Sequence, residues 1–116
     1  MVIQNFSEDV LLVNLPMKEP QIANELKNIN EIIGDRADCD VIIDFSKVEI
    51  LTSPSICNLI ILKQLLSGLG HRLVLCNVSL PVKGIFSVTG LREFFAFTDD
   101  KFTALESMQR TKSPTP

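Results

Sequence analysis

The sequence predicts an α/β domain: a four- to five-stranded, mostly parallel sheet with an antiparallel N-terminal strand, flanked by about four helices. Three observations predict it. Short β-prone runs alternate with helical patterns of roughly ten to fifteen residues, an order that brings strands side by side through right-handed crossovers. The runs within Asp40–Phe45 and Arg72–Asn77 are continuously apolar, as expected of strands covered on both faces. Val2–Phe6 and Val10–Leu15 are separated by the polar Ser7-Glu8-Asp9 and read as a hairpin or two adjoining strands.

After these two strands the period changes. Following Pro20, Ile22, Leu26, Ile29 and Ile33 recur at spacings of four, three and four, one stripe of an amphipathic helix that Gly34 is expected to end. Asp40–Phe45 is the third strand. A second helix is expected from Pro54 to Leu69, closed by Gly68 and Gly70, and Arg72–Asn77 supplies the fourth strand. Pro81–Thr89, with proline in the first turn and Gly90 just past the end, makes a short third helix. Phe94–Thr98 is a fifth strand. Asp99 and Asp100 then offer a cap and an acidic first turn to a last helix carrying Phe102, Leu105 and Met108. Residues 1–109 form one domain, and Arg110–Pro116, without an apolar anchor, is expected to be a flexible tail.

Composition narrows the function. A 116-residue chain with 46% hydrophobic and 22% charged residues is in the ordinary globular range. A single domain of that mass exposes about 6,300 Å² when folded. The net charge of -3, without clustered Lys or Arg, argues against nucleic acid or an anionic membrane as partner. The three cysteines, Cys39, Cys57 and Cys76, are odd in number and lack metal-ligand spacing, which fits a reducing cytoplasm and neither a disulfide framework nor a metal site. Met1–Phe6 does not read as a targeting signal, and no apolar run approaches the roughly 18 residues of a spanning helix.

The inventory for catalysis is thin, and no enzyme is expected. His71, the only histidine, sits in a Gly-His-Arg turn and reads as a surface residue. Gly68-Leu69-Gly70 follows a helix instead of a strand, and no Gly-Lys-Ser or Gly-Lys-Thr is present, so neither a dinucleotide nor a phosphate loop is expected, and no cofactor. Asp38, Asp40 and Asp44 straddle one strand without converging partners.

The segment between the third strand and the second helix stands out. Ser53-Pro54 is a strong helix start, the serine oxygen accepting from an early amide and the proline wasting no donor. In a parallel sheet, residues after the carboxyl ends of strands form the usual binding edge. A wheel at about 100° per residue places Leu59, Leu62, Leu65, Leu66 and Leu69 on a core face. Ile56 and Ile60 fall opposite, with Lys63, Gln64 and Ser67, on the side that begins at Ser53. That side has the character of a docking surface, or packs beneath the neighbouring loop or helix. Asn58, inside the leucine stripe, is expected to be a hydrogen-bonded buried amide.

Three blocks taken together, Val41–Ser53 (VIIDFSKVEILTS), Gly70–Ser79 (GHRLVLCNVS) and Val82–Leu91 (VKGIFSVTGL), resemble in order and spacing the STAS domain of anti-sigma factor antagonists. The resemblance covers roughly residues 2–108. It implies the sheet and helices predicted above, and a non-enzymatic module whose partner is an anti-sigma factor that is also a serine kinase. In the family a serine follows the third strand within an Asp-Ser-Ser-Gly or Asp-Ser-Thr-Gly turn and is phosphorylated by that partner. Carried over by position, the acceptor is Ser53. Thr52 stands where the family has its acid, Pro54 where it has the second hydroxyl, and Ser55 where it has glycine. Asp44 matches the acid that closes the third strand. The contact surface expected for the partner is Thr52, Ser53, Pro54, Ser55, Ile56, Ile60, Lys63 and Asp44. The alternative is a constitutive scaffold or assembly domain of the same fold, in which Ser53 acts only as a helix cap.

Overall fold

The structure is a computed structural model that describes residues 2–7, 9–36 and 39–112. In chain order it comprises β1 (Val2–Ser7), β2 (Val10–Asn14), α1 (Gln21–Arg36), β3 (Asp40–Asp44), α2 (Ser53–Gly68), β4 (Leu73–Cys76), α3 (Leu80–Val88), β5 (Ala96–Thr98) and α4 (Lys101–Lys112). One sheet contains all five strands in sequential order. β1 pairs antiparallel with β2, and β2 to β5 are parallel, with Leu12 opposite Ile42, Ile42 opposite Val74 and Val74 opposite Ala96.

Sequential order decides where the helices lie. Each crossover steps one strand in the same direction, so crossovers of one hand put α1, α2 and α3 on one face and leave the other to α4. The two cores match this division, because strand residues alternate between faces. Leu11, Val13, Val41, Ile43, Leu73 and Leu75 pack in one cluster with the α1 stripe Ile22, Leu26, Ile29 and Ile33, with Leu59, Leu62 and Leu66 of α2, and with Val82 and Phe86 of α3. Val10, Leu12, Ile42, Val74 and Cys76 pack beneath Ala104 and Met108 of α4. β3 is buried along its whole length, as its unbroken apolar run requires. The folded surface is 6537 Å².

The helix ends show which local signals act. Gly70 (φ 79°) and Gly90 (φ 75°) adopt the left-handed conformation just past α2 and α3. At each, two amides turn back onto the last carbonyls: Gly70 N–H to Ser67 and His71 N–H to Leu66, then Gly90 N–H to Ser87 and Leu91 N–H to Phe86. This is the Schellman arrangement, and it favours glycine because a Cβ disfavours that φ. Gly34 differs from expectation. α1 runs through it to Arg36, because a glycine that keeps helical dihedrals costs only about 1 kcal/mol and does not stop a helix. Asn77 also takes positive φ (54°), held by its amide to the Asp99 carbonyl (3.1 Å) and its side chain to Asp44 (3.2 Å).

Two further expectations are corrected. The fifth strand is limited to Ala96–Thr98, since Leu91–Phe95 turns to put Phe95 into the main core. Asp100 caps α4 through the Thr103 amide (2.7 Å), but no acid lies in the first turn, and Phe102 is 66% exposed because Ala104 and Met108 take the inward positions. α4 runs to Lys112, and 113–116 lie outside the described residues.

Candidate functional site

Asp44 ends β3 at the carboxyl edge of the sheet. It is buried, and its Oδ1 accepts from the Ser46 amide (2.8 Å) and the Asn77 side chain (3.2 Å), joining the loop after β3 to the loop after β4. Val48 and Leu51 insert into the core and pin the loop, leaving Ile50 exposed between them. The chain therefore reaches α2 in a fixed register.

The start of α2 is not capped as the sequence suggests. Thr52 occupies the N-cap position with extended dihedrals, its carbonyl accepting from the Ile56 amide (3.1 Å), and Ser53 is already the first helical residue with Pro54 behind it. Ser53 is therefore not the cap. Thr52 makes no side-chain cap bond either. The capping group comes from elsewhere: Glu19, in the connection between β2 and α1. Its Oε2 accepts from the Thr52 amide and hydroxyl (both 2.9 Å) and from the Ser55 hydroxyl, while Oε1 accepts from the Ala23 amide (3.1 Å). One carboxylate thus ties the starts of two helices and supplies the negative charge that a helix N-terminus favours.

Burial acts to raise the Glu19 carboxyl, but the hydrogen bonds from Ser55, Thr52 and Ala23 outweigh it and hold the group below its ordinary value of 4.5. The unfolded chain then takes up a proton more readily than the folded one. Glu19 contributes its full stabilisation above the unfolded value and loses it as pH falls through the folded value. The expected result is a difference in denaturation midpoint between wild type and Glu19→Gln that shrinks as pH is lowered from about 6 to about 3.

The hydroxyls of the turn are unequal. Ser55 is 0% exposed and bonded to Glu19; Thr52 is exposed at its surface but bonded to Glu19. Ser53 is exposed, and its hydroxyl has no hydrogen-bond partner among the described residues. On the helix face behind Ser53, packing beneath a neighbour holds in place of a docking face for Ile56 and Ile60. Ile56 and Ile60 are half-buried against the main core, not outward, and Leu69 is exposed. α2 packs on the sheet and on α1 at once, so its covered arc is wider than one leucine stripe and is turned toward Ser55 and Leu59. The outward face that begins at Ser53 continues through Cys57 and Ile61. Lys63 lies on the flank with Nζ 5.9 Å from the Phe94 ring centre. Asn58 is half-buried and accepts from the Asn30 side chain, on its carbonyl (3.0 Å) and its amide oxygen (3.4 Å), across the α1–α2 contact.

Other groups lie apart from this turn. His71 is half-buried at the opposite, amino end of the strands, Nδ1 standing 3.5 Å from the buried Asp40. The Cys76 thiol is pushed up to about 12 by burial and then by the charges of Asp44 and Asp100, so it stays protonated and non-nucleophilic. Among the described residues no three His, Cys, Asp or Glu side chains are grouped to hold a metal, and no helix is long and apolar enough to cross a membrane.

The chain is thus an α/β domain with a mostly parallel sheet in sequential order and a serine-bearing turn after its third strand. The chain belongs to the STAS domain family, whose model matches residues 7–106. Its fold is similar to that of RsbS from Moorella thermoacetica carrying a serine-to-glutamate substitution (20% identity, 95% of each chain, TM-score 0.80). It is similar to an anti-sigma-factor antagonist (STAS) domain protein from Planctomyces limnophilus (19% identity, 92% of this chain and 96% of that one, TM-score 0.79). It is also similar to the Bacillus cell-fate determinant SpoIIAA in its phosphorylated form (12% identity, 96% of this chain and 98% of that one, TM-score 0.68). No match was found among curated proteins.

Proposed function

We propose that this chain is a non-enzymatic regulatory module, an anti-sigma factor antagonist that binds an anti-sigma factor or related serine kinase in the cytoplasm and is controlled by phosphorylation of Ser53. One observation carries the reading: of the three hydroxyls in the turn, Ser53 alone is both exposed and free of a hydrogen bond among the described residues. Family membership and the descriptions of proteins with the same fold support it. Thr52, Ser53 and Pro54 are the exposed contact. Asp44 and Ser55 are buried and act by fixing the turn, while Ile56, Ile60 and Lys63 support its flank.

Phosphorylation adds about -1.5 to -2 charges to Ser53. The N-terminus of α2 accommodates that charge within the domain, whereas a partner surface fitted to a neutral hydroxyl loses affinity through desolvation and repulsion. In capture from an extract of the native cells, Ser53→Ala is expected to retain the partner and Ser53→Asp to retain at least about tenfold less, a difference of about 1.4 kcal/mol. Equal capture by the two variants would establish the constitutive scaffold in place of the switch.

A further inference from the structure

The turn Thr52-Ser53-Pro54-Ser55 presents three hydroxyls within four residues, and Glu19 treats them differently. Its Oε2 accepts the Thr52 hydroxyl at 2.9 Å and the Ser55 hydroxyl beside it, and its other oxygen is anchored on the Ala23 amide at 3.1 Å. Phosphoryl transfer needs a hydroxyl oxygen to attack the γ-phosphorus of a nucleoside triphosphate. The new O–P bond forms as the bond to the β-phosphate oxygen breaks, a nucleoside diphosphate leaves, and the hydroxyl proton passes to a carboxylate of the kinase. At Thr52 the position that kinase carboxylate must take is occupied by Glu19. The transferred phosphate would also stand with its charge against Glu19 at hydrogen-bond range. Ser55 is subject to both obstacles and is 0% exposed as well. Ser53 points to solvent and meets neither.

We infer that Glu19 is a specificity-determining residue: by engaging Thr52 and Ser55 it restricts phosphorylation of the turn to Ser53. The inference rests on the proposed role of Ser53 as acceptor. Glu19 lies 33 residues from Thr52 in sequence, so the selection is made by the fold and not by the residues flanking the acceptor.

The test uses the full chain, incubated with ATP and a soluble extract of its native cells, with the phosphate located by peptide fragmentation. Wild type is expected to carry phosphate on Ser53 alone, and Ser53→Ala to lose at least about nine tenths of the label. Combining Ser53→Ala with Glu19→Ala is expected to restore label on Thr52, and combining it with Glu19→Gln, which keeps one acceptor oxygen, to restore less. The single variant Glu19→Ala should still be labelled on Ser53, which reports an intact turn. Phosphate on Thr52 in wild type or in Ser53→Ala overturns the inference. So does an unlabelled Thr52 in the double variant when Glu19→Ala alone is labelled. Absence of phosphate from every form, wild type included, instead removes the acceptor role of Ser53, and the inference with it.

Discussion

Phe86→Ala is expected to lower the unfolding free energy by about 3–5 kcal/mol, measured as a fall in the denaturant midpoint at unchanged slope. Phe86 is 0% exposed and projects from α3 into the main core. Its ring meets three others edge-on: Phe95 and Phe97, each 5.4 Å between centroids, and Phe45 at 6.5 Å. Those partners come from the end of β3, the turn after α3 and β5. Truncation therefore removes buried apolar area and the edge-to-face contacts together, in a place where four segments would have to move to close the cavity. Against a typical total of about 5–15 kcal/mol for a domain, such a loss leaves little margin.

Asp40→Ala is expected to cost about 2–3 kcal/mol by the same measurement. Asp40 is buried at the amino end of β3, where Oδ1 accepts from the Arg72 amide (2.8 Å) and Oδ2 from the Arg72 guanidinium (3.3 Å). The same guanidinium nitrogen donates to the Met108 carbonyl in α4 (3.0 Å), so the carboxylate helps to hold a cation that joins two elements. Arg72 is partly exposed, and water takes up some of what the deletion leaves unpaired, which keeps the cost below that of a fully enclosed pair. Asp40→Asn preserves an acceptor for the Arg72 amide while removing the charge, and its loss should be about half as large.

Much of the architecture was legible in the chain because each signal is local. The apolar run of Asp40–Phe45, the stripe of Ile22, Leu26, Ile29 and Ile33, and the glycines at 70 and 90 each act through their immediate neighbours. The start of α2 was not legible for the opposite reason. Ser53-Pro54 has the local chemistry of a cap, but a carboxylate more than thirty residues away outcompetes it, and no periodicity or spacing marks Glu19 as that group. For Ile56 and Ile60 the sequence leaves a docking face and packing beneath a neighbour both open, for a related reason. A wheel built on one stripe assumes one neighbour, and α2 has both the sheet and α1. The exposed serine of the turn, Ser53, was legible as a position, while its isolation from the hydroxyls on either side depends on the tertiary contact.

The unequal cover of the two sheet faces has a dynamic consequence. On one side three helices interlock with a large core, so opening any part of it disturbs the rest. On the other, among the described residues, Val10, Leu12, Ile42, Val74 and Cys76 pack beneath Ala104 and Met108 of α4, with Leu105 partly buried against them. A single helix docked on this smaller cluster forms its own cooperative unit, with a lower opening free energy than the body of the domain. Amides of α4 would then exchange with solvent through this partial opening before the whole chain unfolds, while the strand amides beneath it stay paired in the sheet. The serine-bearing turn, rooted in the larger core, would keep its geometry while the opposite layer breathes.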